Sequence, residues 1–469
     1  MNLVWLRNDL RLEDNPALHY ASKQGEVCCV YTVTEKQWLE HDDAPAKIML
    51  WRDRLLALSD ELAKKNIPLK IINVDYYNDI SAELFSLIEK LNVDNLFFNI
   101  EYPLNEKKRD KHIIGACEAR GITVHIYHAD VIHPPGRVTT QNNTTYHVYS
   151  PFARQWRKQL DISQLDVMRA PAKQKKIPCE SDNIETHWHC YDREYRDDLW
   201  LPTTKAVQQK LKRFAESNIE QYKALRDIPS IPGTSTLSPY LACGAISVRQ
   251  CIAAAREHSE NWLENTWVNE LIWREFYRHL IDIYPHLSRS ENFKATKNPI
   301  PWQNDERQWQ AWCKGETGYP IVDAAMKQLI QTGWMHNRLR MVVAAFLTKL
   351  LLIDWRKGEA FFMRYLVDGD YASNNGGWQW AASTGADAAP YFRIFSPERQ
   401  SQRFDPEGKF IKKLLPELSD LDKKSIHTPS SDQRKACGYP EPIIDYKFAR
   451  QRALDGYASA MGKVKTDSE

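Results

Sequence analysis

Five short apolar runs in the first 130 residues, separated by helical patterns, constrain this chain more than any other feature. They span residues 3–6, 27–33, 69–74, 96–100 and 123–126. Runs of this length, rich in valine, isoleucine, leucine and aromatics, read as buried strands. The stretches between them are amphipathic. The clearest sets Ile48, Trp51, Leu55, Leu58 and Leu62 at spacings of three and four, which makes one apolar helical stripe. Strands alternating with helices imply a parallel sheet with right-handed crossovers. Residues 1–130 are therefore expected to form an α/β, Rossmann-like domain around a five-stranded parallel sheet. No Gly-x-Gly-x-x-Gly follows the first run, so the usual dinucleotide fingerprint is missing.

Residues 131–200 break the pattern. Pro134-Pro135-Gly136 interrupts it, polar residues extend the break to Thr145, and a basic run covers 173–176. This stretch reads as a connector with a helical piece near 152–160. From about 201 to 469 strand signals vanish and helical periodicity dominates, as in the stripe Val268, Ile272, Phe276, Leu280. A second, all-α domain is expected, with the run 341–352 as a buried helix.

Charge is balanced, 63 basic against 61 acidic residues, so any nucleic-acid surface must be a local patch. Nine cysteines without metal-type spacing fit reduced thiols in a cytosolic protein, and no apolar run is long enough to span a bilayer. A soluble, cytoplasmic protein is expected.

The segment 368–380 is the strongest functional signal. Thirteen residues hold two acids, three amides, three glycines and two tryptophans. A calcium loop is excluded, because the fifth and twelfth positions are Ala372 and Gln379. A tight turn would not account for Trp378 and Trp380. Polar groups beside large flat rings suit a planar ligand with polar edges. Two other stretches repeat the theme. In 267–279, Trp267, Glu270, Arg274 and Tyr277 recur at helical spacing, with Trp273 alongside. In 333–341, Asn337 lies one turn from both Arg340 and Met341. The first could be a solvated face with an ordinary Glu-Arg pair, but its two tryptophans count against that. In the second, Met341 could be core filler, but a methionine one turn from an amide, beside two arginines, suits a pocket wall. The hydroxyl-rich run Thr234-Ser235-Thr236-Leu237-Ser238 precedes a helical pattern and suits phosphate oxygens, though most such runs are only helix caps.

Taken together these residues resemble the photolyase/cryptochrome family, most closely the bacterial (class I) photolyases that repair cyclobutane pyrimidine dimers. The resemblance covers nearly the whole chain. It rests on Trp5-Leu6-Arg7-Asn8-Asp9-Leu10-Arg11, Asn269-Glu270-Leu271-Ile272-Trp273-Arg274-Glu275-Phe276-Tyr277, Gly318-Tyr319-Pro320-Ile321-Val322-Asp323-Ala324, and the stretches 334–340 and 374–383. It implies that the helical domain binds FAD. Tyr222, Thr234, Ser235, Leu237 and Ser238 would hold the pyrophosphate region. Trp267, Arg274, Trp334, Asn337, Arg340, Asp368 and Asp370 would surround flavin and adenine. Asn374 would face flavin N5, where an amide can accept from N5–H without adding charge.

The resemblance further implies damaged DNA as partner, with a dimer flipped out of the strand and the protein acting as a monomer. Trp273 and Trp380 would stack on the dimer, Glu270 and Asn337 would bond its edges, and Met341 would pack beside it. Arg226, Arg338 and Arg393 would meet flanking phosphates. Photoexcited reduced flavin would give an electron to the dimer, with Glu270 stabilising the resulting charge, and take it back after the ring splits. Trp378, Trp355 and Trp302 would pass electrons to oxidised flavin, while Trp309 and Trp312 would be packing residues. His41, Asn105 and Glu106 match positions for a methenyltetrahydrofolate antenna. Residues 105–106 also read as a plain helix start, and Arg289 falls near a lysine of that site in the family. A cryptochrome-type light receptor without repair activity is the competing reading. Glu270, Trp273, Asn337, Met341 and Trp380 together favour repair.

Overall fold

The computed structural model describes residues 1–188 and 195–462. The five apolar runs form the strands β1 (Asn2–Leu6), β2 (Val27–Val33), β3 (Leu69–Asn73), β4 (Asn95–Asn99) and β5 (Thr123–Tyr127). They build one sheet in the order β3-β2-β1-β4-β5, with every pairing parallel. The chain winds outward from β1 on one side, returns beside it, and winds outward on the other. β1 and β2 are buried at every position, as interior strands covered on both faces must be. The stripe on helix Pro45–Ala63 is buried throughout at Ile48, Trp51, Leu55, Leu58 and Leu62. Helix Pro16–Gln24 starts where its residues dictate. The Asn15 side chain accepts from Leu18 N at 3.2 Å, and proline takes the first turn, where no N–H is needed.

At the carboxyl ends of β1 and β4, where the strand order reverses, the polar groups are tied to one another. Arg7 reaches Asp110 at 2.5 Å and Asn99 O at 2.7 Å. Asn99 in turn donates to Asp9 at 2.5 Å and Asn15 at 2.8 Å.

By its contacts the chain divides into two units. The first comprises Met1–Glu220, Ser235–Ser288 and Val367–Ala372; the second comprises Gln221–Thr234, Arg289–Leu366 and Ser373–Glu469. The stretch after β5 belongs to the first unit and is stitched to it. The Gln174 amide donates to Val27 O and accepts from Val27 N, each at 2.9 Å, and Asp182 accepts from Ile71 N at 2.8 Å. Its helix, Tyr149–Gln159, starts a little before the expected position.

The second unit is helical in its described residues. Trp312, Met326, Leu339, Val343, Leu350, Trp355, Phe362 and Trp378 share one buried cluster. The expected helix over 341–352 is instead two pieces: an α-helix, Asn337–Ala345, and a π-helical turn, Phe346–Leu350. The wider turn carries Lys349, whose ammonium donates to Ser383 Oγ at 2.6 Å and lies 3.6 Å over the Tyr457 ring. Burial pulls this lysine down to about 7. Hydrophobic periodicity cannot register one extra residue in a turn. Among the described residues no helix is long and apolar enough to cross a membrane.

The Gly318–Asp323 motif is a structural knot. Fully buried Asp323 accepts from Thr317 N (2.8 Å), Thr317 Oγ1 (2.6 Å), Gly318 N (3.0 Å) and the Tyr439 hydroxyl. Gly318 has φ +76°, and a Cβ there would meet Glu441 O at 2.4 Å. Asp323→Ala strips four buried donors of their acceptor. Each unsatisfied group costs about 1–3 kcal/mol, so a loss of at least about 3 kcal/mol is expected in chemical denaturation. A loss under about 1 kcal/mol would show that the knot does not hold the helices.

Candidate functional site

In the first unit the helix Thr266–Ile283 carries the polar-aromatic stripe. Asn265 caps it, accepting from Trp267 N at 2.8 Å. The apolar side, with Val268, Leu271, Ile272, Phe276 and Leu280, is buried, whereas Glu270, Trp273, Arg274 and Tyr277 are half-buried. Trp267 is also buried, its ring 4.9 Å from Phe214. Arg274 donates to Asp130 and to Leu241 O at 3.1 Å. Asp130 also takes Arg278, which donates to Asp370 at 2.8 Å and 3.3 Å. The structure thus joins the expected residues Arg274 and Asp370 through two that sequence reasoning missed, Asp130 and Arg278. The one available signal for Arg278 was its place one turn beyond Arg274. Glu275, beneath the stripe, accepts from Ile132 N (2.7 Å), His133 N (2.9 Å) and Trp156 Nε1 (2.7 Å). Burial raises its carboxyl to about 7, although these bonds oppose the shift.

The hydroxyl run turns sharply. Ser235 Oγ accepts from Leu237 N at 3.4 Å, and Ser238 opens a short helix. Thr236 lies at φ +48° and its hydroxyl accepts from Lys210 at 3.0 Å. Nothing in the local sequence announced Lys210, which comes from the helix Thr204–Ser217.

In the second unit His336 caps the helix Asn337–Ala345 by accepting from Arg338 N at 3.2 Å, which makes Asn337 the first helical residue. Burial lowers this imidazole to about 4, so it caps as a neutral acceptor. Trp334 packs edge-on to it at 6.2 Å. Arg340 Nε donates to Met335 O at 2.8 Å, and Met341 is half-buried. Arg338 grips Asp227 at 2.9 Å and 3.2 Å, and Arg226 lies 3.9 Å from the same carboxylate. The Arg226 guanidinium is 5.6 Å from the centre of the buried Tyr222 ring. Arg393 is exposed on the loop after Ala382.

The first three residues of the segment 368–380 lead into the helix Tyr371–Ala382, which holds the other ten. Asn374 Nδ2 donates to Glu359 O at 3.0 Å, and Asn375 Nδ2 donates to the Glu359 carboxyl at 2.8 Å. Burial pushes that carboxyl up to about 7, against the Asn375 bond. With its amide nitrogen engaged, Asn374 presents Oδ1 as an acceptor. Trp378 and Trp380 stand about 200° apart around the helix. Trp378 is 2 % exposed, edge-on to Phe362 at 4.9 Å and to Trp312 at 6.1 Å; Trp380 is half-buried. Trp355 is fully buried and donates to Asn292 at 3.0 Å, while half-buried Trp302 meets the buried Tyr457 ring edge-on at 6.2 Å. Trp312 is wholly buried, with Trp309 stacked on it at 5.5 Å.

The three remaining candidates lie together in the first unit. Asn105 Nδ2 approaches His41 Nε2 at 3.3 Å, and the adjoining Glu106 accepts from the Tyr77 hydroxyl at 3.3 Å. Burial, then the like charge of Glu101, raises Glu106 to about 7.

A family profile described as "DNA photolyase" matches residues 2–175, and one described as "FAD binding domain of DNA photolyase" matches 267–459. The deoxyribodipyrimidine photo-lyase of Escherichia coli is 43% identical over 470 residues, covering 98% of both chains. That of Vibrio cholerae is 42% identical, covering 98% of this chain and all of its own. The crystal structure of a class III photolyase from Agrobacterium tumefaciens superposes with a TM-score of 0.89 at 36% identity, covering 98% of both chains.

The seat of Trp378 yields a test. A Cβ on Gly358 would fall 2.2 Å from Trp378 Cη2. Gly358→Ala gains about 1 kcal/mol of helix propensity, but overpacking against a rigid ring costs about 1–3 kcal/mol or more. The clash should win, lowering the denaturation midpoint and changing tryptophan emission. Increased stability with unchanged emission would show that Trp378 is not seated against that turn.

Proposed function

We propose, from the premise that the chain belongs to the DNA photolyase family, that it splits cyclobutane pyrimidine dimers in DNA with light, using FAD. One observation carries this reading. The helix Tyr371–Ala382 sets an oriented amide, a core tryptophan and a half-buried tryptophan within seven residues, Asn374 to Trp380. When bound, FAD supplies the photochemistry: its reduced, excited flavin lends one electron to the dimer and recovers it after the ring opens, with no net redox change. The protein supplies position and electrostatics.

In the first unit Ser235, Leu237, Ser238, Trp267, Arg274, Asp368 and Asp370 are the residues proposed to meet the cofactor. In the second they are Tyr222, Thr234, Trp334, Asn337, Arg340 and Asn374. The donor sets fit such a group. Hydroxyls with Lys210 nearby suit phosphate oxygens, and Asn374 Oδ1 suits the N5–H of a reduced flavin. Trp378, Trp355 and Trp302 would carry electrons to the cofactor when it is oxidised. The burial of the first two favours this role, because a charge passing through them is shielded from water.

Trp273 and Trp380 would stack on the flipped dimer, with Glu270 and Asn337 on its polar edges and Met341 beside it. Flipping costs a few kcal/mol, less for an already distorted lesion, which favours damaged sites. Arg226, Arg338 and exposed Arg393 would meet the phosphates that flank the lesion. Binding should therefore weaken with salt. His41, Asn105 and Glu106 would hold a methenyltetrahydrofolate antenna. A Glu106 carboxyl that titrates near neutrality could serve a pterin edge as donor or acceptor.

Trp378→Phe should block light-driven reduction of oxidised FAD while chemically reduced protein still repairs dimers. Loss of both, with FAD retained, would refute the electron-path role. Glu270→Ala should keep FAD but lower dimer affinity or repair yield about tenfold, the scale of one hydrogen bond to a charged group. Unchanged values for both would remove Glu270 from the mechanism.

A further inference from the structure

Trp273 is supported from behind. The Tyr149 ring lies parallel to its indole, with centroids 3.6 Å apart and planes inclined by 8°. Phe276 meets the indole edge-on at 5.7 Å, and Tyr277 lies tilted to it at 5.7 Å. One face of the indole is thus covered by a parallel ring, while the residue as a whole is only half-buried.

Tyr149 is itself fixed at its far end. Its hydroxyl donates to Asn269 O at 2.9 Å, on the same helix as Trp273 and one turn earlier, and Arg157 grips the Asn269 side chain. The rest of helix Tyr149–Gln159 repeats the register. Phe152 packs on Phe276 and His279, each at 5.1 Å, and Trp156 Nε1 donates to Glu275 at 2.7 Å. Tyr149, Phe152 and Trp156 fall at spacings of three and four, so one whole face of this helix docks on the helix bearing Trp273. Aromatic pairs usually prefer offset or edge-on geometry with wider spacing. A parallel pair this close is held by such anchors at both ends.

We propose that Tyr149 is a positioning residue for lesion recognition: it backs the Trp273 indole, so that the ring is already oriented, dry on one face and unable to tilt when a flipped pyrimidine dimer stacks on the other. The inference rests on the reading of Trp273 as a stacking wall. A pre-oriented ring loses less freedom on binding, so its support should appear as affinity for the dimer. The chemistry of ring splitting should be untouched, because Tyr149 would act only through Trp273.

A double-mutant cycle tests this with the FAD-bound, full-length protein. The readouts are dark affinity for an oligonucleotide carrying one thymine dimer, affinity for its undamaged twin, and repair yield per bound dimer. Tyr149→Leu, which keeps bulk but removes the flat ring, should weaken dimer binding about tenfold, the scale of a lost aromatic contact. FAD content, undamaged-DNA affinity and yield per bound dimer should stay unchanged. Tyr149→Phe keeps the ring and should bind within about twofold of the parent. In a Trp273→Ala background, Tyr149→Leu should have no further effect.

Unchanged dimer affinity in Tyr149→Leu, with Trp273→Ala weakened, would overturn the proposal while leaving the stacking wall intact. Unchanged affinity in Trp273→Ala would overturn both. Additive losses in the double variant would also overturn it, because Tyr149 would then act elsewhere. If Tyr149→Leu fails to retain FAD, Tyr149→Phe and Tyr149→Met decide the matter. Binding must then follow the flat ring, with Phe retaining it and Met weakening it; equal binding by the two overturns the proposal.

Discussion

A ladder of buried amides is the constraint on which the helix Tyr371–Ala382 depends. Gly376 and Gly377 lie inside this twelve-residue helix, and each glycine costs a helix interior about 1 kcal/mol relative to alanine. The ladder offsets that cost. The carbonyl and carboxyl of Glu359 take Asn374 and Asn375, Asn375 Oδ1 takes Gln379 Nε2 at 3.0 Å, and Gln379 Oε1 takes Phe293 N at 2.8 Å. These bonds fix the rotation of the helix about its axis. With that rotation fixed, Asn374 presents its oxygen, Trp378 enters the core against Gly358, and Trp380 stays half-buried. A small twist would misplace all three.

The first unit solves the same problem differently. Its helix Thr266–Ile283 is held by charge. Glu275 gathers three buried donors, and Asp130 gathers Arg274 and Arg278. Such buried charged groups are weak evidence for stability in themselves, because desolvation offsets most of the attraction. Their effect is geometric. They leave Glu270 and Trp273 on a helix with little freedom to shift, which the roles proposed for these two residues require.

Sequence pattern made the sheet legible to within a residue or two at each strand, because strands buried on both faces leave apolar runs that little else produces. The polar-aromatic segment before Trp380 stood out for the opposite reason, a composition unlike an ordinary core or loop, and the structure shows that its amides are buried by bonding to one another and to Glu359. The contacts that orient these groups were not legible. Arg274 meets Asp130 from 144 residues away, Tyr149 reaches Trp273 across a similar gap, and Lys210 approaches Thr236 from another helix. Local spacing carries no trace of such pairings. The π-helical turn at 346–350 was hidden because hydrophobic periodicity is blind to one extra residue in a buried turn.

The central claim is that these two helices serve light-driven repair of a pyrimidine dimer. The most direct measurement exposes the chemically reduced, FAD-loaded protein to blue light with a duplex holding one defined thymine dimer, and follows the strand by chromatography. Restoration of the two thymines in the light, and none in the dark, is the predicted result. An intact dimer after illumination, with FAD bound and reduced, would contradict the account.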